Sequence, residues 1–213
     1  MIVDQWPLFQ LSVRTERLEL RLPQEADLAE LAGVASAGVH DPGQRPFLTP
    51  WTDGGPEARA RFVLQEHWSQ LGSWRGEDWR LGLGVFLDGR GIGVVTLRAR
   101  DFPVLREVTT SSWLGLESHG QGLGTEARIG LLTLAFHHLG AEAAVTEVFR
   151  DNAASQGVSR KLGYEPDGIS RDVRGDEVLV SDRLRLTRQR WRSLDHGGDT
   201  TISGYEACLP FFE

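Results

Sequence analysis

His119-Gly120-Gln121-Gly122-Leu123-Gly124-Thr125-Glu126-Ala127 lies between a strand-like run, Val108 to Leu116, and a long apolar-periodic segment, Ala127 to Leu139. Three glycines at alternate positions let a backbone curl tightly and approach a ligand closely, because no Cβ intervenes. With Thr125 and Glu126 opening a helix, free amide N–H groups and the positive end of the helix dipole face the turn. Such a turn is an anion site made of backbone, suited to a pyrophosphate. A tight connection with no ligand can carry the same glycines, so the string alone leaves both readings open.

Two phosphate loops are excluded. No Gly-Lys-Ser/Thr follows the glycines, so a nucleotide-triphosphatase loop would lack its lysine and its magnesium-binding hydroxyl. The dinucleotide fingerprint needs a loop early in a βαβ unit and an acidic ribose partner about 20 residues later. Here the glycines come after the middle of the chain, and Glu142 and Glu147 fall at the start and middle of the next strand-like run. Pyrophosphate-bearing cofactors of another kind remain, with coenzyme A foremost.

The 213 residues suffice for one domain with a buried core and a terminal extension. A formal net charge of -7 argues against a general nucleic-acid binder, which would show a basic face. The lone Cys208 excludes an intrachain disulfide and any multi-cysteine metal site, and no metal is expected. No apolar run approaches the ~20 residues that span a bilayer, and the N-terminus lacks a basic-then-apolar signal pattern. The expectation is a cytoplasmic protein without a membrane or nucleic-acid partner.

In chain order, residues 1–13 are a mixed apolar lead-in, and Arg17 to Leu22 alternates polar and apolar as a half-buried strand does. Glu25 to Ala37 has helical spacing. Val39 to Gly55 is a long loop with His40, Asp41, Phe47 and Trp51; it either lines a pocket or plugs onto the core. A helix is expected from about Glu57 to Trp74. Strands Leu81–Leu87 and Ile92–Leu97 flank Asp88-Gly89-Arg90-Gly91, a hairpin signal. Val104 to Leu116 reads as the fourth strand and Ala143 to Phe149 as the fifth. Asn152 caps a helix to Leu162, Ile169–Val173 and Val178–Leu186 form a closing hairpin, and Thr187 caps a short helix. Residues 195–199 are linker-like, whereas Tyr205, Leu209, Phe211 and Phe212 are too apolar for a free tail and should dock on the domain or on a neighbouring subunit.

This β-α-α-β-β-β-α-β-α-β-β order resembles the GNAT superfamily of acyl-CoA-dependent N-acyltransferases. The family's loop reads Arg/Gln-x-x-Gly-x-Gly/Ala, and His119 to Gly124 matches it except at His119. Asp151-Asn152-Ala153-Ala154-Ser155 followed by Arg160-Lys161-Leu162-Gly163-Tyr164 is similar to a segment of the branch containing ribosomal-protein alanine acetyltransferases. The loop Gly38 to Pro42, the strand Ser112 to Gly115 and the Gly204-Tyr205 tail look like a subset of actinobacterial members, one mycobacterial member of which is associated with succinyl-CoA.

The resemblance implies an α/β (α+β) GNAT fold over residues 1–192: a mixed, mostly antiparallel twisted sheet of about seven strands, with strands four and five splayed and helices on both faces. Residues 193–213 are then an extension. It implies that pantetheine pairs with backbone of Trp113, Leu114, Gly115 and Leu116. Pyrophosphate would bind Gly120, Gln121, Gly122, Leu123, Gly124 and Thr125, assisted by His119. Asn152, beyond capping, would bond the pantetheine, and Ser155 would lie near the sulfur. The acceptor pocket would comprise His40, Asp41, Phe47, Trp51, Ser111 and Ser112.

Many members place a Tyr where this chain has Ser159, so Ser155, a water or no dedicated acid must protonate the thiolate. Glu107 is the leading candidate base, with a bland alternative as a solvated strand end, and His40 and Asp41 are second candidates; His67, His137 and His138 read as helix surface or packing. The implied activity is direct transfer of an acetyl group from acetyl-CoA to a primary amine of a small molecule or protein. The alternatives are a succinyl-CoA donor, whose carboxylate could meet Arg45, Arg59 or Arg98, and a CoA-binding sensor that no longer catalyses. The apolar tail suggests a homodimer.

Overall fold

A computed structural model describes residues 1–213, and its elements are set largely by local chemistry. The helical turn α1 (Ile2–Gln5) precedes a hairpin of β1 (Ser12–Arg14) and β2 (Leu18–Arg21). Helix α2 (Glu25–Ala37) starts where the Gln24 amide donates to Asp27 Oδ2 at 2.7 Å, satisfying an otherwise orphaned N–H. Pro56 opens α3 (Pro56–Gly72), where a missing N–H costs nothing. β3 (Asp78–Leu87) and β4 (Arg90–Arg100) are joined by only Asp88 and Gly89, both at positive φ as a type I′ turn requires. The four-residue connection expected from sequence thus contracts to two.

Val104 and Leu105, expected to begin the fourth strand, instead complete the turn α4 (Phe102–Leu105). Pro103 has no N–H for a sheet ladder, so β5 (Glu107–Leu114) begins only after it. Helix α5 (Leu123–Thr133) starts two residues earlier than expected and continues into a π turn over Leu134–His138. β6 (Ala143–Phe149), α6 (Ala153–Lys161), β7 (Glu165–Arg174), β8 (Glu177–Thr187), α7 (Arg188–Arg192) and β9 (Thr201–Ser203) complete the chain.

The strands form one nine-stranded sheet in the order β7-β8-β6-β5-β4-β3-β2-β1-β9. Two strands beyond the expected seven come from short segments, β1 and the edge strand β9, too brief to show alternation. Every pairing is antiparallel except β5–β6. Alternation along β5 sends Val108, Thr110 and Leu114 to the main core under α5, whereas Trp113 packs in a smaller cluster with Leu31, Ala35 and Val63 of α2 and α3. Helices therefore cover both faces.

The C-terminal segment crosses from β8, near one edge of the sheet, to the other, where β9 pairs with β1. Cys208 and Phe212 enter the main core, and Trp74 Nε1 donates to Phe211 O at 2.9 Å. The apolar tail that suggested a homodimer is thus packed on its own chain. Burial raises the Cys208 thiol to about 11, so it stays neutral in the core. No helix is long and apolar enough to cross a membrane.

Two histidines lie where the π turn meets α7 and the tail. His137 Nε2 accepts from Trp191 Nε1 at 3.2 Å, and the His138 ring packs edge-on to Tyr205 at 4.3 Å. Burial lowers both imidazoles below their ordinary value, and for His137 the neighbouring His138 adds to the effect. A lowered base contributes stability that is complete above its unfolded pKa and is lost as pH falls through the folded one. The melting temperature should therefore decline as pH drops below about 6.5. His137→Gln, which keeps an acceptor for Trp191, should flatten part of that decline relative to wild type. Parallel pH–melting curves would refute this assignment.

Candidate active site

The glycine loop is where β5 hands over to α5. Gly120 and Gly122 take φ of 74° and 79°, conformations that only glycine adopts without strain. Gly122 is the N-cap, and no side chain caps the helix, so the amides of Leu123, Gly124 and Thr125 have no intrahelical acceptor. Beside the loop lies a cleft of about 370 Å³ that Gly122 and Thr125 help to line, together with Glu16, Glu126, Lys161 and Asp199 among others. Gln121 turns its amide onto Glu117 O. His119 Nε2 instead donates to Leu114 O at 3.0 Å, so the ring faces the strand. A cation does stand at the loop: Arg17 bonds Glu126 and Gln121 O. Its place is invisible in sequence, since more than 100 residues separate it from its partners.

β5 and β6 pair only at Glu107↔Ala143, Val108↔Ala144 and Thr109↔Val145, although both strands run further. Beyond that point the two diverge, and a side-chain hydrogen bond from Thr146 Oγ1 to Thr110 O at 3.1 Å marks the apex. The β5 edge facing β6 is therefore without a backbone partner from residue 110 on. Of the four residues expected to hold pantetheine by backbone, Gly115 and Leu116 are committed within the chain. Their amides donate to Ile92 O and Gly38 O, and their carbonyls accept from Ser118 and His119. The free edge is shifted toward the apex, to residues 110–113. At the far side of the splay, Asn152 Oδ1 accepts from Ser155 N at 3.1 Å and caps α6; the Ser155 side chain is half-buried.

On the α2/α3 face, Phe47, Trp51, Phe62 and Trp113 form an aromatic wall with Trp51 stacked on Phe62 at 5.0 Å and tilted against Trp113 at 5.6 Å. His40 is held on both nitrogens: Nδ1 donates to Asp41 O at 2.9 Å, so Nε2 accepts from Thr52 Oγ1 at 2.8 Å. Asp41 itself is exposed. The β7–β8 turn reaches over this face. Arg174 Nη2 binds both carboxylate oxygens of Asp53 at 2.7 Å, and Nη1 donates to Phe47 O. Loop and hairpin thus clasp across the face that Ser111 points to.

Glu107 sits at the paired end of β5, on the closed side of the apex, with Arg185 Nη1 at 2.5 Å from its Oε2. Four residues of strand, about 13 Å, separate it from Ser111. Sequence reasoning passed over Glu147. It lies two residues beyond Val145, the last paired residue of β6, and alternation puts it on the face shared by Thr109, Ser111 and Trp113. It is exposed and has no ion pair or hydrogen bond through its side chain. Its only sequence signal was an acidic residue inside an otherwise apolar strand.

A protein-family profile described as "Acetyltransferase (GNAT) domain" matches residues 17–165. Among solved structures, Mycobacterium smegmatis RimJ in complex with CoA-disulfide is 16% identical, with a TM-score of 0.68 over 86% of this chain and 90% of that one. RimL, named as a ribosomal alpha-N-protein acetyltransferase in complex with coenzyme A, is 17% identical with a TM-score of 0.63, covering 81% and 94%. The self-immunity acetyltransferase MccE in complex with acetyl-CoA and AMP is 15% identical with a TM-score of 0.62, covering 81% and 93%. At such identities the likeness establishes the fold.

Proposed function

The chain belongs to the GNAT acetyltransferase family, and from that premise we propose that it transfers an acetyl group from acetyl-CoA directly to a primary amine. The observation that carries this reading is the splay of β5 from β6 after three residue pairs, beside an uncapped helix N-terminus. An acyl-pantetheine would lie along the free edge of residues 110–113, and Gly122 to Thr125 would receive the pyrophosphate through backbone N–H groups. Arg17 and Lys161 would add charge at the loop and its cleft, in place of His119. Asn152 and Ser155 would border the pantetheine from α6.

The acceptor would enter from the α2/α3 face, between the aromatic wall and the β7–β8 hairpin. Glu147 would take the proton from the ammonium, directly or through water, because its carboxylate is free and faces Ser111's side. Glu107 and His40 would be structural, since Arg185 and the Asp41–Thr52 pair already engage them. The nitrogen then attacks the thioester carbonyl, and backbone N–H groups along β5 would polarise its oxygen. RimL, named as an alpha-N-protein acetyltransferase, makes a protein N-terminal amine the first acceptor class to test. A succinyl-CoA donor is the second reading; Arg98, paired with Thr109 across the strands on the same face, would meet its carboxylate.

The deciding experiment is thermal stabilisation by CoA, acetyl-CoA and succinyl-CoA, followed by turnover on a panel of amines and N-terminal peptides, since a ligand that binds only the native state raises its melting temperature. Stabilisation with turnover supports the reading, and stabilisation without turnover on any amine favours a sensor. No stabilisation by any of the three would make the glycine loop a mere turn.

The clasp carries its own prediction. Arg174→Ala should cost about 1–3 kcal/mol of stability, because the Arg174 side chain is 10% exposed and its loss leaves Asp53 and the Phe47 carbonyl without their donor. KM for the acceptor should rise about threefold to tenfold with the donor KM unchanged, as expected when binding of one substrate alone is loosened. Equal changes in both KM values would disconnect the clasp from the acceptor.

A further inference from the structure

On the α2/α3 face of the sheet one guanidinium stands between two carboxylates and is bound to only one of them. Arg183 of β8 is the cross-strand partner of Glu147 on β6, and directly opposed residues of an antiparallel pair carry their Cβ atoms about 4.5–5.5 Å apart on one face. Opposite charges so placed ordinarily attract, yet Glu147 is exposed and Arg183 turns the other way. Its Nε lies 3.1 Å from Asp167 Oδ2 and donates to Asp167 O at 3.1 Å. The backbone of β7 is shaped for this capture. Pro166 pairs with Leu184 and Ile169 with Asp182, so Asp167 and Gly168 together stand opposite the single residue Arg183. That is a β-bulge, which re-aims the side chain it carries, and Gly168 takes φ of 105° within it. Asp167 thereby flanks Arg183 on the side away from Glu147. The other charges around Glu147 are engaged elsewhere. Arg185 is shared by Asp167 and Glu107, Arg98 lies across β5 opposite Thr109, and Arg174 of the overhanging hairpin is bonded to Asp53. Thr109 and Ser111 on β5, and Val145 and Phe149 on β6, carry no charge.

We propose that Asp167 is a positioning residue for the transfer: by holding and neutralising Arg183, it keeps the Glu147 carboxylate unpaired and able to take the proton of the acceptor ammonium. The proposal rests on the reading of Glu147 as the base. A guanidinium released onto Glu147 would favour its charged form and make it a weaker proton acceptor. It would also stand where the amine must approach. The ammonium proton passes to Glu147 and then to water, and Arg183 keeps its own proton throughout.

The test is an NMR titration of the Glu147 carboxyl carbon in the full-length protein, its signal identified by its loss in Glu147→Gln, alongside kcat with an amine acceptor. Asp167→Ala should move the Glu147 midpoint down by about half a unit, the scale of an exposed ion pair, and lower kcat about threefold to fivefold. Arg183→Gln alone should move the midpoint up. Combined with Asp167→Ala, it should return the midpoint and recover most of kcat, which a merely structural loss at the edge strand would not do. A midpoint that stays in place in Asp167→Ala, or a double variant that does not recover, overturns the proposal. Should Asp167→Ala fold poorly, Arg183→Gln decides by itself, since an unmoved or lowered midpoint there refutes the proposal equally. Full turnover in Glu147→Gln would remove the base reading and this inference together. An unresponsive midpoint in an enzyme that depends on Glu147 refutes this inference alone.

Discussion

Glu147→Gln should reduce kcat with an amine acceptor by about 100-fold to 10,000-fold, the range for a positioned general base. Thermal stabilisation by CoA should be unchanged. Thr109 and Val145 are the last paired residues of β5 and β6, so parallel pairing puts Ser111 and Glu147 on one face, on opposite lips of the splay. A base must reach the amine on its way to the thioester and must return its proton to water. Glu147 is exposed and its carboxylate is engaged by no other group. Glu107 is bonded to Arg185, and His40 spends its Nε2 lone pair on Thr52. Glu107→Gln should therefore lower kcat less than about tenfold, since Arg185 keeps its pair with Asp167 and the amide oxygen can still accept from it. A Glu147→Gln enzyme within about threefold of wild type would move the base elsewhere.

Phe212→Ala should destabilise the protein by about 3–5 kcal/mol, a large part of the total of about 5–15 kcal/mol for a domain. Phe212 is 2% exposed and stands edge-on to Trp79 at 4.9 Å and to Trp74 at 5.6 Å. The substitution opens a hole between two indoles that are stacked on each other and held by Phe102 behind, so collapse into it is limited. The melting temperature should fall by about 10 °C. Phe211→Ala, whose ring packs against Trp6 in a partly buried position, should cost less than half as much, since its carbonyl remains to accept from Trp74. Equal effects at 211 and 212, or a loss below about 1 kcal/mol at 212, would mean that the tail does not dock this way in solution.

Consecutive residues decide the conformation where a few neighbours suffice. The glycine loop, the Asn152 cap and both hairpins follow from φ preferences and short-range hydrogen bonds. Element edges were less secure where one residue overrides a pattern. Pro103 turned an apolar run into a helical turn, and Gly122 started α5 ahead of Thr125. Three-residue strands such as β1 and β9 carry too few positions for alternation to register.

Sequence by itself thus determined the type of each main element, the family, and a glycine-rich turn between a strand and a helix, because each rests on short runs of consecutive residues. Only the tertiary structure decided which side chains meet. Arg174 finds Asp53 across 121 residues, and Arg17 finds Glu126 across 109. Arg128 reaches Thr110 beneath the apex, and Glu147 lies past the last β5–β6 pair whereas Glu107 lies within the paired stretch, because that pairing stops after Thr109. Register and splay arise from packing of the whole sheet against α5 on one face and α2 and α3 on the other, and no local string records where a pairing ends.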